Sequence, residues 1–320
     1  MAWKRVLSMS YIYAMNDVIF SIMSDTKIGI KDDLPKLWKS ESEKRLVTQI
    51  GLMKSIIVSP NIVIAYAGNN INKAAELLRN VKNSSDTMEE IISAAFKIHI
   101  TSDEDAIEFI IAYCDETTRE LISVKNQQVF RNCKVAWLGS WEAYNEFKRL
   151  ESLISEDDVK GKKSITHTEN GEFLEEDLDE ELVRAYKIEE CFSEVVNSGI
   201  DPTVGGMAVR IRAMEGENTF QYMAGMNAIA SNWPQIVKLG ENIIFHQGAD
   251  KGSFCCNVYQ SNRNFCCYVY EANRGIVYTD EVFYSEDLEG MKFPKIYIMD
   301  KQSFDEIAEQ NGAYSCIELG

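Results

Sequence analysis

Residues 8–16 (SMSYIYAMN) alternate imperfectly between polar and apolar and are rich in aromatic side chains, which reads as a strand. Asn16-Asp17 supplies a turn, and residues 18–25 (VIFSIMSD) read as the returning strand of a hairpin. Residues 26–46 are polar and charged, as expected of a loop. Residues 50–68 give two further strands, 53–58 and 61–67, joined by the turn at Ser59-Pro60. From Asn69 to Lys82 the apolar positions 71, 74, 75, 77 and 78 follow helical spacing, with Asn69 or Asn70 as N-cap. A second helix is expected from Thr87 to about Phe96, then strands at 107–114, 119–125 and 129–138, and a helix from Trp141 to about Ser152.

The pattern changes at 153–180, a polar, acidic stretch nearly free of apolar residues, which predicts a loop insertion outside the core. Helix resumes near Glu181 and runs to Asn197, broken by Gly199 and the segment DPTVGG; residues 207–226 read as a closing hairpin. The last ~90 residues predict strands at 243–247, 254–260, 264–270, 276–284 and 295–299 and a short helix at 303–309. The expectation is a layered α/β domain over 1–230, followed by a smaller, strand-rich α+β extension over 231–320. No solenoid-type repeat interrupts this order.

The chain has 320 residues, consistent with two domains at ~150 residues each. Hydrophobic residues make up 45% and charged residues 26%, which excludes disorder as the main state. The net charge of −17 argues against nucleic acid and anionic membrane as partners, since both call for clustered Lys and Arg. No apolar run reaches the ~18 residues of a membrane helix and no secretory signal is convincing, so a cytoplasmic protein with reduced cysteines is expected. Of the eight cysteines, Cys255-Cys256 and Cys266-Cys267 form two adjacent pairs in what reads as a hairpin. Neighbours on a strand face opposite ways, so only two of the four share a side, and half-buried thiols are expected rather than a metal site. His99, His167 and His246 are scattered, Gly205-Gly206 lacks the helix and lysine of a phosphate loop, and the acidic stretch lacks a calcium-loop pattern. No metal or cofactor is expected.

Four stretches, in order, carry a family resemblance: VIFSIMSDTKI (18–28), a strand ending in an aspartate; KSIIVSPNIVIAYAGN (54–69), with its lysine, proline and Ala-Gly; WLGSWEAY (137–144), a Gly-Ser lead into a helix; and DPTVGGMAVRI (201–211), an aspartate before a Gly-Gly and a strand. Over residues 9–226 the chain resembles the proteasome β-subunit family of N-terminal-nucleophile (Ntn) hydrolases. The resemblance implies a four-layer αββα Ntn-hydrolase sandwich and carries over Asp25 as orienting acid, Lys54 as activating lysine and Gly68 as oxyanion donor, with Ser140 and Asp201 in the network around the α-amine. In such enzymes the first residue of the mature chain supplies the nucleophile and its freed amine acts as base, because an α-amine titrates near pH 8. A glycine N–H stabilises the oxyanion.

Two positions depart from the family pattern. Counting back from Asp25 places Met9 where the family has its threonine, and Met9 facing Lys54 would aim the flanking Ser8 and Ser10 away by strand alternation. Val204 stands where the family has a serine. The expectation is therefore a proteasome-like protein lacking conventional threonine peptidase activity and acting as a structural, assembly or binding subunit. The alternative is a peptide or amide hydrolase that uses Ser8 or Ser10 once N-terminal processing exposes it. The resemblance further implies self-association into a ring and a protein or peptide ligand.

Overall fold

A computed structural model describes residues 10–27, 53–68, 71–83, 86–102, 107–167, 173–206, 208–213, 218–223, 225–229, 236–239, 242–245, 254–259, 265–269, 274–279, 295–300, 302–303 and 306. The chain opens with the antiparallel hairpin β1 (Tyr11–Asn16) and β2 (Phe20–Ser24), then β3 (Ser55–Ser59) and β4 (Ile62–Gly68). Helices α1 (Ile71–Asn83) and α2 (Met88–Ile100) lead to β5 (Ile107–Cys114), β6 (Arg119–Lys125) and β7 (Gln128–Phe130). Then come β8 (Val135–Gly139), α3 (Trp141–Glu151), α4 (Glu156–Val159), the pair β9 (Lys163–His167) and β10 (Phe173–Asp177), and α5 (Glu180–Ser198). Strands β11 (Val209–Ala213) and β12 (Phe220–Tyr222) follow.

Two five-stranded antiparallel sheets, ordered β12-β11-β2-β1-β8 and β3-β4-β5-β6-β7, pack face to face. Strands β1 and β4 are buried on both faces, which explains their near-continuous apolar runs in place of clean alternation. From β1, Ile12 and Ala14 enter the core shared with the second sheet, whose far side is covered by α1 and α2. Tyr11, Tyr13 and Met15 point the other way, onto α3 and α5, where Tyr11 stacks on Phe192 at 5.0 Å. The architecture is α+β.

Local chemistry sets the element ends. A capping box starts α2, with Glu90 N–H on the Thr87 hydroxyl at 3.4 Å and Thr87 N–H on the Glu90 carboxylate at 2.8 Å. Gly199 ends α5 in the left-handed region (φ 67°). Asn126 and Gln127, both at positive φ, make the two-residue turn between β6 and β7.

Three expectations need correction. The strand expected over 129–138 is two strands in different sheets. Arg131 is tied to Glu120 and Glu89, Asn132 turns left-handed (φ 52°), and the chain crosses to pair with β1. The acidic 153–180 stretch is not simply a loop, since it holds α4 and the two-stranded β9–β10 sheet, with residues 168–172 outside the described set. Hydrophobic patterning reports burial and is blind to main-chain pairing on the surface. The closing hairpin is shorter than 207–226, because β13 (Gly225–Ile229) already belongs to a third sheet.

That sheet is antiparallel, ordered β13-β16-β17-β18-β19, with β16 (Phe254–Tyr259), β17 (Phe265–Val269), β18 (Arg274–Thr279) and β19 (Lys295–Met299). A separate hairpin pairs β14 (Ile236–Leu239) with β15 (Asn242–Phe245). The two cysteine pairs lie on the hairpin β16–β17 but out of register, with Cys256 opposite Val269 and Cys267 opposite Val258. Most of the loop expected at 26–46 and of the helix expected at 303–309 lies outside the described residues. Among the described residues no helix is long and apolar enough to cross a membrane.

Candidate active site

The start of β1 is where the candidate residues meet. Ser10 and Asp25 are both buried, and Tyr11 and Asp25 face each other across the hairpin. Asp25 N–H donates to the Tyr11 carbonyl at 3.0 Å, and Tyr11 N–H donates to Asp25 Oδ1 at 2.8 Å. The same Oδ1 receives the Lys54 ammonium at 2.8 Å, and Oδ2 accepts Gly205 N–H at 3.2 Å. Lys54 leads into β3 from the opposite sheet, and one residue further the Ser55 and Ser24 hydroxyls bond across the sheets at 2.7 Å. An ion pair with 6% and 0% side-chain exposure therefore lies at the edge of the intersheet core.

On the other flank, Ser140 N–H donates to the Ser10 carbonyl at 2.8 Å, so β8 and the N-cap of α3 sit directly beside Ser10. The Ser140 hydroxyl accepts from Ala143 N–H at 3.0 Å as the helix cap and donates to Asp201. Asp201 Oδ1 also accepts the hydroxyl and the N–H of Thr203, each at 2.7 Å. Val204 is buried among the apolar residues under α5, and a hydroxyl reaches Asp201 from one position earlier, at Thr203. Gly68 closes β4 at φ 143°, a backbone that side-chain-bearing residues rarely adopt. Tyr66 N–H donates to the Lys54 carbonyl at 2.9 Å, so the even residues of β4 direct their amides toward β3. Gly68, two residues on, thus turns its N–H toward the Lys54 side rather than toward β5.

Asp25, Lys54, Ser10, Ser140 and Asp201 gather in one place, with Gly68 two residues along β4 from the partner of Lys54. Ser8 and Met9 lie outside the described residues. Sequence reasoning missed Gly205, Thr203, Lys27 and the amide of Tyr11. The amide contacts carry no side-chain signature; Thr203 was visible only as a hydroxyl close to Asp201.

The electrostatics are those of buried charge. Burial pushes the Asp25 carboxyl up, opposed by the Lys54 charge and by its amide donors, and burial pulls the Lys54 ammonium down, opposed by Asp25. Partial burial works to raise Asp201, but the Ser140 hydroxyl and the two Thr203 donors outweigh it and hold the carboxyl below its ordinary value. Chemically, the cluster can stabilise a developing negative charge and hold a proton acceptor beside the backbone of Ser10.

Of the other candidates, His99 has a structural role. His99 donates from Nδ1 to the Ile107 carbonyl (2.6 Å) and accepts Gln127 N–H on Nε2 (2.9 Å), joining α2 to β5 and to the β6–β7 turn. Cys114, Cys133 and Cys191 are free thiols. Among the described residues no three His, Cys, Asp or Glu side chains gather to hold a metal ion. No protein-family model matches the sequence, and no curated protein matches it.

Proposed function

We propose that the chain is an amide hydrolase of the N-terminal-nucleophile type, built as a proteasome-β-like αββα sandwich, with Ser10 as its nucleophile after removal of residues 1–9. The observation that carries this reading is the buried Asp25–Lys54 pair set against the start of β1. Replacing a buried ion pair by apolar residues is often neutral or stabilising, so a protein that keeps one has a use for the charge. Here the charge points at the one backbone segment a nucleophile would occupy. Helices on the outer faces of two packed sheets support the four-layer form.

Strand alternation favours Ser10. It shares the parity of Ile12 and Ala14, which face the second sheet, and Lys54 extends from that sheet. In the reaction, the Ser10 α-amine takes the hydroxyl proton while Oγ attacks the amide carbonyl. Lys54 stabilises the alkoxide, and Gly68 N–H receives the oxyanion. The C–N bond then breaks, the leaving amine takes the proton, and water cleaves the acyl-Ser10 ester to regenerate the site.

A second reading, a non-catalytic structural or binding subunit of a self-associated assembly, is favoured by the register. Met9 lies sixteen residues before Asp25, the family's nucleophile place, and methionine has no nucleophile to offer. Intact mass combined with an acylating serine probe separates the two. A chain beginning at Ser10, labelled on that residue and unlabelled in Lys54→Ala, is the expected result. An unlabelled chain that retains residues 2–9 would establish the second reading instead.

A further inference from the structure

We propose that Lys27, a residue no family pattern pointed to, is a tuning residue that keeps the Ser10 amine uncharged, and hence able to act as base, at neutral pH. This rests on the hydrolase reading above and adds a component to it. Residues 25–27 are laced to the 201–206 segment. Thr26 and Lys27 each donate N–H to the Gly205 carbonyl, at 3.2 and 3.0 Å, while Gly205 N–H returns to Asp25 Oδ2. The Lys27 stem then lies over Gly205, where a methyl group would stand 3.1 Å from Cδ and 3.8 Å from Nζ. The half-buried side chain thereby lies against Gly205, whose N–H bonds Asp25 and whose segment also carries Asp201.

The charges around Ser10 make this placement matter. Facing it from β2 and its extension are Asp25 and Lys27, from the lead into β3 Lys54, and from the segment after α5 Asp201 through Ser140. Two carboxylates beside an amine favour its protonated, useless form. Lys54 balances Asp25 by direct contact, and among the described residues Lys27 is the cation whose charge acts on Asp201. Among the described residues these four charges sum to zero with Lys27 and to −1 without it, and the amine then gains affinity for a proton. Consistent with this placement, the Lys27 charge helps hold Asp201 ionised and acts against protonation of Lys54.

The test is the rate of Ser10 acylation by a small active-ester probe as a function of pH, in the processed wild-type chain, Lys27→Gln, Lys27→Met and Lys27→Arg. Loss of one neighbouring charge is expected to move the acid limb of the profile upward by about half to one pH unit, a three- to tenfold loss below the limb. Lys27→Arg restores the wild-type limb. Packing alone would not move a titration, so the arginine rescue and the two neutral variants separate charge from shape. An acid limb that stays in place in both neutral variants, while Ser10 still acylates, overturns the role of Lys27 and leaves the hydrolase reading standing. Wild-type chain that keeps residues 2–9 and takes no label overturns both.

Discussion

Replacing Lys54 by methionine isolates what the buried pair is worth. The substitution keeps most of the aliphatic volume and leaves Asp25, fully buried, with the amides of Tyr11 and Gly205 as its partners among the described residues. The folded variant then has to neutralise Asp25 by taking up a proton. At pH 7, against an unfolded carboxyl near 3.9, that uptake costs about 4 kcal/mol, within the ~3–5 kcal/mol typical of a broken buried pair. The sign of the pH dependence follows from counting protons. In wild type the pair holds one dissociable proton, as it does unfolded between pH 5 and 7, so its contribution is flat. In Lys54→Met the folded carboxyl lies above its unfolded value, so the variant regains about 1.4 kcal/mol for each unit the pH falls, down to about pH 4. Denaturant unfolding should give a loss of about 4 kcal/mol at pH 7 and about 1.5 kcal/mol at pH 5. Adding Asp25→Asn should recover most of the loss at pH 7 and abolish its pH dependence, because an amide still accepts the Tyr11 N–H and binds no proton. A loss under about 1 kcal/mol at pH 7, or the same loss at pH 5, would refute the reasoning.

Three further outcomes follow from other parts of the molecule. The Tyr11 hydroxyl is buried with no hydrogen-bond partner among the described residues, so Tyr11→Phe should be neutral or raise stability by up to ~1 kcal/mol, read as an unchanged or higher melting temperature. Gly199 sits at φ 67° with open space among the described residues where a β-carbon would stand, so Gly199→Ala should cost about 1 kcal/mol from backbone strain alone and Gly199→Asn visibly less, both measured by denaturant midpoint. Asp201 titrates below its ordinary value, so its hydrogen bonds stabilise the fold above the unfolded carboxyl range and are lost as pH falls through the folded value. The melting temperatures of wild type and Asp201→Asn should therefore differ at pH 6 and converge below pH 3.

How legible all this was depends on what each feature buries. The β1–β2 hairpin, α2 and α5 declare themselves through apolar spacing and caps, because their stability comes from a buried face. The β7–β8 crossing did not, since a strand that leaves one sheet for another keeps a similar residue pattern; only the polar run at 131–134 hinted at the break. That Asp25, Lys54, Ser140 and Asp201 lie together was suggested by a family resemblance, each of them being a side chain. Gly205 escaped because its part is played by an amide and a carbonyl, which every residue possesses. Lys27 escaped because a lysine after a strand reads as solvated until the fold lays it over a glycine.

The convergence itself is a consequence of sheet topology. In the order β11-β2-β1-β8 every neighbouring pair is antiparallel, so the C-terminal ends of β2 and β8 and the N-terminal end of β11 all lie at the N-terminal end of β1. Whatever residue follows β2 must flank Ser10 on one side, and whatever follows β8 must flank it on the other; those residues are Asp25 and Ser140. The segment before β11 is forced to the same corner and delivers Asp201 and Gly205. Lys54 and Gly68 have to come from the second sheet, and the Ser24–Ser55 bond marks where the two sheets touch there. The arrangement thus depends on register more than on any one contact. Inserting a single residue within the β1–β2 turn (17–19) would move Asp25 one step past Tyr11 and turn Phe20 and Ile22 out of the intersheet core. A slipped β2 would lose its core face and its charge pair together. A variant with that insertion should keep the core by absorbing the extra residue as a bulge in the turn, with Tyr11 N–H still on Asp25 and its amide still protected from hydrogen exchange. Loss of that protection in an otherwise folded variant would show that the pair is subordinate to the hairpin, and that the corner is not built by register.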